Sequence, residues 1–140
     1  LGSNGFRSRQ GDSDFAQGSQ VKLAIGTVQF GLPYGVANKS GQVSRNEAKM
    51  ILELARSTGI ETLDTAIAYG DSETCLGEVG VEGFKVVTKL PALPEDLGNV
   101  DRWVRDQVRS SFERLGVQRV YGLLLHRSQQ LVSSSAPVSE

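Results

Sequence analysis

A helix stop, a short strand and a polar loop follow one another in residues 59–70, which read GIETLDTAIAYG. Gly59 is the residue type that ends helices in the left-handed conformation, and the apolar and β-branched run after it is typical of a strand. Asp64 and Tyr69 come where that strand ends. This stretch therefore predicts a carboxylate and a phenol at the carboxyl end of a strand that follows a helix.

The same alternation of strands and helices extends in both directions from this stretch. Upstream, residues 22–27 predict a first strand, and Ser44 with Glu47 forms a capping box that starts a helix after a Gly-rich loop. Downstream, we expect a short helix near Asp71 that breaks at Gly77. The apolar residues of the capped helix recur at i, i+3, i+4 and i+7 and are Ala48, Ile51, Leu52 and Ala55.

Two further strands and one longer helix complete the pattern. Residues 84–88 predict the third strand, Asp101 is expected to cap a helix that ends at Gly116, and residues 120–125 predict the fourth strand. The near-continuous apolar run of this last strand is typical of a strand that is covered on both faces. Because strands and helices alternate, we expect parallel pairing with right-handed crossovers. The fold class is therefore α/β.

Two architectures share this order of elements, namely a doubly wound open sheet and a (β/α)8 barrel, which takes about 250 residues when complete. Asp64, Lys89 and His126 each stand at the carboxyl end of a different strand, as catalytic groups in barrels do. No Gly-x-Gly-x-x-Gly pattern opens the first helix, which counts against a dinucleotide site of the Rossmann type. We therefore expect a partial (β/α)8 TIM barrel made of about the first four β/α units.

The two ends of the chain differ in composition from its middle. Residues 1–20 are rich in Gly, Ser, Gln and Asp, and residues 132–140 are rich in Ser. Polar segments of this kind bury too little apolar surface to fold, so we expect flexible tails around a folded part at residues 21–131. The chain begins with Leu1 and stops after a serine run, which we interpret as a fragment.

Composition narrows the classes of partner. The 140 residues carry a formal net charge of -1 with acids and bases interspersed, so we expect no nucleic-acid partner. No apolar run approaches the ~20 residues that cross a bilayer, so we expect no membrane span. Cys75 is the only cysteine, which fits a reducing cytoplasmic location, and we expect it to be a small buried group. The sequence has no metal-ligand spacing.

Asp64, Tyr69, Lys89 and His126 could together form a proton donor for carbonyl chemistry. A free phenol has a pKa of roughly 10 and donates a proton poorly near neutral pH, but a neighbouring ammonium favours the phenolate. Lys89 would be that ammonium, and the Asp64 carboxylate would keep it charged and in place. His126 would hydrogen-bond a carbonyl oxygen or relay a proton.

These residues resemble a known family, the aldo-keto reductases, whose N-terminal signature is Asp-Thr-Ala-x-x-Tyr-Gly-x-x-Glu-x-x-Leu-Gly. The pattern runs from Asp64 to Gly77 without a mismatch. The same family places a lysine after Val-x-Thr, here Lys89, and a histidine after the next apolar strand, here His126. Its first strand, Leu-x-x-Gly-Thr, is matched by residues 23–27. The resemblance extends over residues 21–131, about half of a family member.

The resemblance implies an NADP(H)-dependent oxidoreductase that reduces an aldehyde or ketone to an alcohol. Tyr69 would be the general acid, Lys89 and Asp64 would tune its acidity, and His126 would orient the small-molecule carbonyl substrate. Phosphate and adenine contacts come from later strands in the family, so we expect this chain alone to be weak or inactive and to bind cofactor weakly or not at all. The positions that match the nicotinamide side of the cofactor site are Gly26, Thr27 and Asp64.

Three alternatives stay open. The chain could be a non-catalytic relative that serves as a binding or regulatory module, because a fold alone does not establish activity. It could be a Schiff-base lyase that uses Lys89, although the motif at residues 64–69 disfavours this. It could also be a truncated product without activity of its own.

Two surface features complete the expectations. In half of a barrel the first and fourth strands lack partners, which predicts self-association through these unpaired edges. The arginines of the longer helix are expected to form its solvated face, and they are Arg102, Arg105, Arg109 and Arg114.

Overall fold

Four parallel strands form one sheet in a computed structural model that describes residues 22–131. The strands are β1 Ala24–Gly26, β2 Thr62–Asp64, β3 Lys85–Leu90 and β4 Gly122–Leu125, and each pairs with the next. The helices are α1 Val28–Gly31, α2 Arg45–Ser57, α3 Ser72–Val79 and α4 Val100–Leu115, and a 3-10 helix at Ser128–Leu131 follows β4. The predicted α/β class and the consecutive parallel order are confirmed. The predicted tails at residues 1–20 and 132–140 lie outside the described residues.

The two faces of the sheet have different surroundings. Register partners share a face, so Ile25, Leu63 and Val86 lie side by side, and all three pack in the hydrophobic core. The opposite face is more open, with Ala24 and Leu124 both exposed. Strand alternation places Asp64 and Lys89 on this open face, where a polar group remains accessible to a ligand.

Helix α2 begins and ends as its sequence predicts. The Ser44 side chain accepts a hydrogen bond from the backbone N–H of Glu47, and the Glu47 carboxylate accepts one from the backbone N–H of Ser44 at 2.9 Å. Gly59 follows the helix with a φ of 77°. Three members of the predicted apolar stripe are buried and the fourth, Ile51, is partly buried. The capping box and the stripe are therefore confirmed.

Helix α3 does not break at Gly77, contrary to the expectation from sequence, and continues to Val79. The residue that follows its end is Gly80, which has a φ of 94°. Gly77 instead faces α4, because a Cβ added there would overlap the backbone carbonyl oxygen of Arg114. The close packing of α3 on α4 requires this glycine, and a local sequence pattern contains no information on that contact.

Helix α4 is capped by Asn99 rather than by Asp101. The Asn99 side-chain oxygen accepts a hydrogen bond from the backbone N–H of Arg102 at 2.8 Å. Asp101 lies inside the first turn and pairs with Arg105 at 2.9 Å. Both residue types are good N-caps, so the sequence alone did not discriminate between them. The predicted end is confirmed, since Gly116 follows the helix with a φ of 67°.

Strands β1 and β4 are the two edges of the described sheet. Leu123, Leu124 and Leu125 of β4 are 41 %, 50 % and 36 % exposed. Among residues 22–131, the predicted cover on both faces of this strand is therefore missing. Unpaired apolar edge strands are sites where another chain can pair, so self-association through these edges stays a prediction.

Replacing Gly77 with alanine should lower the free energy of unfolding by about 1–3 kcal/mol, because the new Cβ forces two packed helices apart. The sign of this change is informative, because in a helix interior without such a contact the same substitution should stabilise the chain by about 1 kcal/mol. Urea unfolding followed by circular dichroism would measure the change.

Gly98→Ala is the control for this substitution, because a Cβ at Gly98 meets open space. We expect it to change the free energy of unfolding by less than about 1 kcal/mol. A Gly77→Ala variant as stable as the parent chain would contradict close packing of α3 on α4.

Cys75 belongs to the hydrophobic core and is fully buried, as expected from sequence. Burial raises the pKa of the Cys75 thiol, and the nearby Arg45 guanidinium opposes this. Because the thiolate is the reactive form, the folded chain should react with a disulfide reagent at mildly alkaline pH at least ~100-fold more slowly than the guanidinium-unfolded chain. Absorbance of the released thiolate measures both rates, and equal rates would show that Cys75 is accessible.

Candidate active site

Lys89 links β3 to β2 at their carboxyl ends. Its ammonium donates hydrogen bonds to the two carboxylate oxygens of Asp64, both at 2.8 Å, and to the backbone carbonyl of Thr65 at 2.9 Å. These acceptors match the three donors of a lysine ammonium. The Lys89 side chain is 14 % exposed and that of Asp64 is 39 % exposed. The ion pair is therefore partly shielded from water, and the attraction between its two charges is stronger than at an open surface.

Strand register explains why these two side chains meet. Asp64 pairs with Val87 in the parallel β2–β3 ladder, and Lys89 stands two residues further along β3 on the same face. The pairing continues past the end of β2, because the backbone N–H of Thr65 donates to Val87 and that of Ile67 donates to Lys89. Regular pairing alone thus brings the ammonium to the carboxylate.

Tyr69 lies against the ammonium of Lys89. The Lys89 Nζ is 5.1 Å from the centroid of the Tyr69 ring, which is within the range of a cation–π contact. Since the three donors of Lys89 already go to Asp64 and Thr65, the charge acts on Tyr69 across the face of its ring. The structure places Asp64, Lys89 and Tyr69 in the order that the sequence predicted.

His126 follows β4 and completes the group. Its ring meets that of Tyr69 edge to face, with 5.6 Å between centroids and 88° between planes. Its backbone N–H donates to the carbonyl of Leu90 at 3.0 Å, which extends the β3–β4 pairing. His126 is exposed, so a ligand can reach its imidazole from solvent. All four residues predicted to be catalytic therefore meet at one end of the sheet.

A contact between two glycines holds the Tyr69 loop against α1, a short helix in the segment that the sequence predicted to be a loop. A Cβ at Gly31 would overlap the backbone carbonyl oxygen of Tyr69. Gly70 has a φ of 56°, and a Cβ there would lie 2.6 Å from the carbonyl oxygen of Gly31. Sequence reasoning did not select Gly31, because its partner lies 39 residues further along the chain.

The three positions expected to approach a cofactor differ in access. Gly26 is exposed, and a Cβ added to it meets open space. Asp64 is its register partner across β1 and β2 and is partly exposed. Thr27 is fully buried, and its hydroxyl donates to the backbone carbonyl of Asp64 at 3.1 Å. Open space is therefore available beside Gly26 and Asp64, whereas Thr27 is buried and holds the backbone carbonyl of Asp64. Their cofactor contacts stay predictions.

Glu73 is a buried acid that sequence reasoning did not select. It is 1 % exposed and accepts hydrogen bonds from the hydroxyls of Thr88 and Ser111, both at 2.7 Å. The guanidinium of Arg114 donates to its other oxygen from Nε at 2.9 Å and Nη2 at 2.7 Å. The assignment of Arg114 to the solvated face of α4 is therefore wrong, because a buried carboxylate draws it inward. The position of Glu73 one helical turn before buried Leu76 was the available signal.

Neither a membrane-spanning helix nor a metal-binding group occurs in the part of the chain that the structure describes. Residues 22–131 contain no helix that is long and apolar enough to span a bilayer. The same residues contain no group of three or more His, Cys, Asp or Glu side chains arranged to hold a metal ion.

Comparison with known proteins identifies the family. A sequence model of the Aldo/keto reductase family matches residues 22–136. The chain belongs to the aldo/keto reductase family. This confirms the resemblance drawn from the motifs and places the chain in a family of oxidoreductases. A search of curated proteins finds no significant match.

Two solved structures from Pseudomonas aeruginosa, both provisionally assigned as aldo-keto reductases, are similar to this chain. The first is 30 % identical with a TM-score of 0.65, over 79 % of this chain and 46 % of that structure. The second is 28 % identical with a TM-score of 0.63, over 79 % of this chain and 44 % of that structure. The chain thus spans about half the length of these relatives, and its sheet corresponds to part of their barrel.

Replacing Glu73 with alanine should lower the free energy of unfolding by about 3 kcal/mol or more, because the hydroxyls of Thr88 and Ser111 lose their acceptor and Arg114 loses its partner. Glu113→Ala is the control, since Glu113 is exposed on α4 and should change stability by less than about 0.5 kcal/mol. Denaturant unfolding of both variants measures the difference. Equal stability of the two variants would show that Glu73 contributes little.

Proposed function

We propose that the protein containing this chain reduces an aldehyde or ketone to an alcohol with NADPH, with Tyr69 as the proton donor. The observation that carries this proposal is the placement of the Lys89 ammonium 5.1 Å from the centroid of the Tyr69 ring. Membership of the aldo/keto reductase family supports the same reaction class.

Tyr69 would transfer its phenolic proton to the carbonyl oxygen of the substrate, while hydride adds to the carbonyl carbon. The phenolate that remains is negative, and the ammonium at the ring face attracts this charge. Asp64 holds the ammonium before the reaction begins, through two hydrogen bonds of 2.8 Å. The stabilising charge is therefore in position before the phenolate forms, which is the arrangement that lowers a barrier most.

His126 would bind the substrate carbonyl beside the proton donor. Its ring lies edge to face with that of Tyr69, with 5.6 Å between centroids, so a carbonyl group bound next to the phenol would also lie near the imidazole. Exposure of His126 leaves this position open to a small molecule from solvent. The imidazole would fix the direction of the carbonyl relative to the phenol, which is the role of a positioning group in such a reaction.

A nicotinamide cofactor, when bound, would supply the hydride. Gly26 and Asp64 border open space on the active-site face of β1 and β2, and a glycine allows a flat ring to approach the backbone closely. Thr27 would contribute by holding the Asp64 carbonyl. Use of NADPH rather than NADH and a cytoplasmic location also belong to this proposal.

A Schiff-base lyase that uses Lys89 is less well supported. Attack on a carbonyl requires an uncharged amine with a free lone pair. Lys89 instead donates hydrogen bonds to Asp64 and Thr65, and the Asp64 carboxylate balances its charge. A non-catalytic binding or regulatory module remains the alternative, which the following assay separates from a reductase.

Tyr69→Phe in the complete protein that carries this chain should lower kcat/KM for aldehyde reduction by about 10²–10⁴-fold, the usual contribution of a general acid. Loss of NADPH absorbance with a panel of aldehydes measures the rate. Tyr121→Phe is the matched control, because Tyr121 is 72 % exposed and stands outside the site. Equal rates for the parent and Tyr69→Phe would refute the role of Tyr69, and no turnover by the parent protein would favour the non-catalytic module.

A further inference from the structure

Three buried hydroxyl groups lie together beneath the active site, and we call Thr27, Thr65 and Ser72 the hydroxyl cluster. None of the three residues has exposed surface. The Ser72 Oγ is 2.9 Å from the Thr27 Oγ1 and 3.1 Å from the Thr65 Oγ1, and it donates to the Thr27 backbone carbonyl at 2.8 Å. The cluster thus joins the residues just after β1 and β2 to the first turn of α3.

Each hydroxyl has one proton, which limits how these hydrogen bonds can be arranged. One arrangement uses every proton once: Thr65 donates to Ser72, and Ser72 donates to the Thr27 carbonyl. Thr27 then donates to the backbone carbonyl of Asp64 at 3.1 Å. Among the described residues, no buried side-chain nitrogen or oxygen lacks a hydrogen-bond partner. The cluster is therefore fully satisfied, and such networks specify one geometry.

The cluster closes the segment that carries Tyr69. Thr65 and Ser72 are the two ends of residues 65–72, and their hydroxyls meet at the base of this loop. Within the loop, the backbone N–H of Tyr69 donates to Ala66 at 3.0 Å, and that of Ser72 donates to the Tyr69 carbonyl at 3.1 Å. The Thr65 carbonyl also accepts from Lys89. A change in the cluster would consequently move both the phenol and its ammonium.

Packing alone does not explain three hydroxyls at this place. Burying a hydroxyl costs free energy that its hydrogen bonds only offset, and valine or alanine would fill similar volumes without this cost. A hydroxyl adds a directional hydrogen bond, and each such bond fixes the distance between two chain segments. The benefit of such fixed distances is greatest where a reacting group must stay within a fraction of an ångström of its partner.

We propose that the hydroxyl cluster is a positioning device for the proton donor, which keeps the Tyr69 ring over Lys89 by closing residues 65–72; this inference rests on the proposed function. The three residues have no exposed surface and do not touch the substrate, so they act through Tyr69 and Asp64.

The first test requires no activity. Hydrogen exchange of the 140-residue chain, followed by mass spectrometry, should show about tenfold faster exchange in a peptide covering residues 65–72 for Thr65→Val and for Ser72→Ala, with α2 unchanged. Thr65→Ser keeps the hydroxyl and should exchange like the parent. Ser57→Ala is the matched control, since it removes an exposed hydroxyl that donates to a backbone carbonyl at 2.9 Å on α2.

Two outcomes of this experiment would overturn the proposal. Unchanged exchange at residues 65–72 in both variants would show that the hydroxyls do not hold the loop. Equal acceleration along the whole chain would show that they contribute only to global stability. Ser72→Ala provides the same readout if Thr65→Val does not fold.

The second test measures the reaction in the complete protein. We expect kcat to fall about tenfold in Thr65→Val and Ser72→Ala with KM changed by less than about twofold, and the solvent deuterium isotope effect on kcat to rise because proton transfer becomes slower. Thr65→Ser should restore both values. Faster loop exchange with an unchanged kcat and isotope effect would overturn the positioning role. Failure of the proposed function is distinct, because it would appear as equal rates for the parent and Tyr69→Phe.

Discussion

The Lys89 ammonium is the constraint on which the active-site end of the sheet depends. A mostly buried positive charge is stable only if nearby oxygens replace its water, and Asp64 and Thr65 provide them. These bonds tie the end of β2 to the end of β3 and leave the ring face of Tyr69 as the place where the charge acts. Since Lys89 has no donor left for the phenol, the Tyr69 loop needs other supports. The glycine contact with α1 and the hydroxyl cluster supply them.

A second buried charge organises the helices on the other face of the sheet. Thr88 and Lys89 are neighbours in β3, so their side chains point to opposite faces. Thr88 joins the Glu73 carboxylate, which also binds Ser111 and Arg114 of α4. Two adjacent residues of one strand therefore connect the active-site ion pair to the ion pair that fixes α3 against α4. Strand β3 therefore carries both the active-site lysine on one face and a contact to the helix-packing carboxylate on the other.

Much of this arrangement was predictable from sequence. The capping box at Ser44 and the stop at Gly59 define α2 because both act on neighbouring backbone groups. The predictions are wrong where a residue contacts a distant partner. The sequence predicts a helix stop at Gly77, but this glycine makes room for the backbone of α4. The sequence predicts that Arg114 is solvated, but it pairs with the buried Glu73. The predicted N-cap of α4, Asp101, is wrong, because Asn99 occupies that position.

The sequence by itself determined the order of the four strands and of helices α2, α3 and α4, and the parallel pairing of the strands. It also placed Asp64, Tyr69, Lys89 and His126 at one end of the sheet, because periodicity and caps report local backbone preferences. Only the tertiary structure decided the partners of the buried polar groups that the sequence analysis left unpaired. Glu73 and Arg114 are 41 residues apart, and Ser72 and Thr27 are 45 apart. Such pairs form through the packing of whole elements, and the spacing of residues along one element does not encode which surface it will meet.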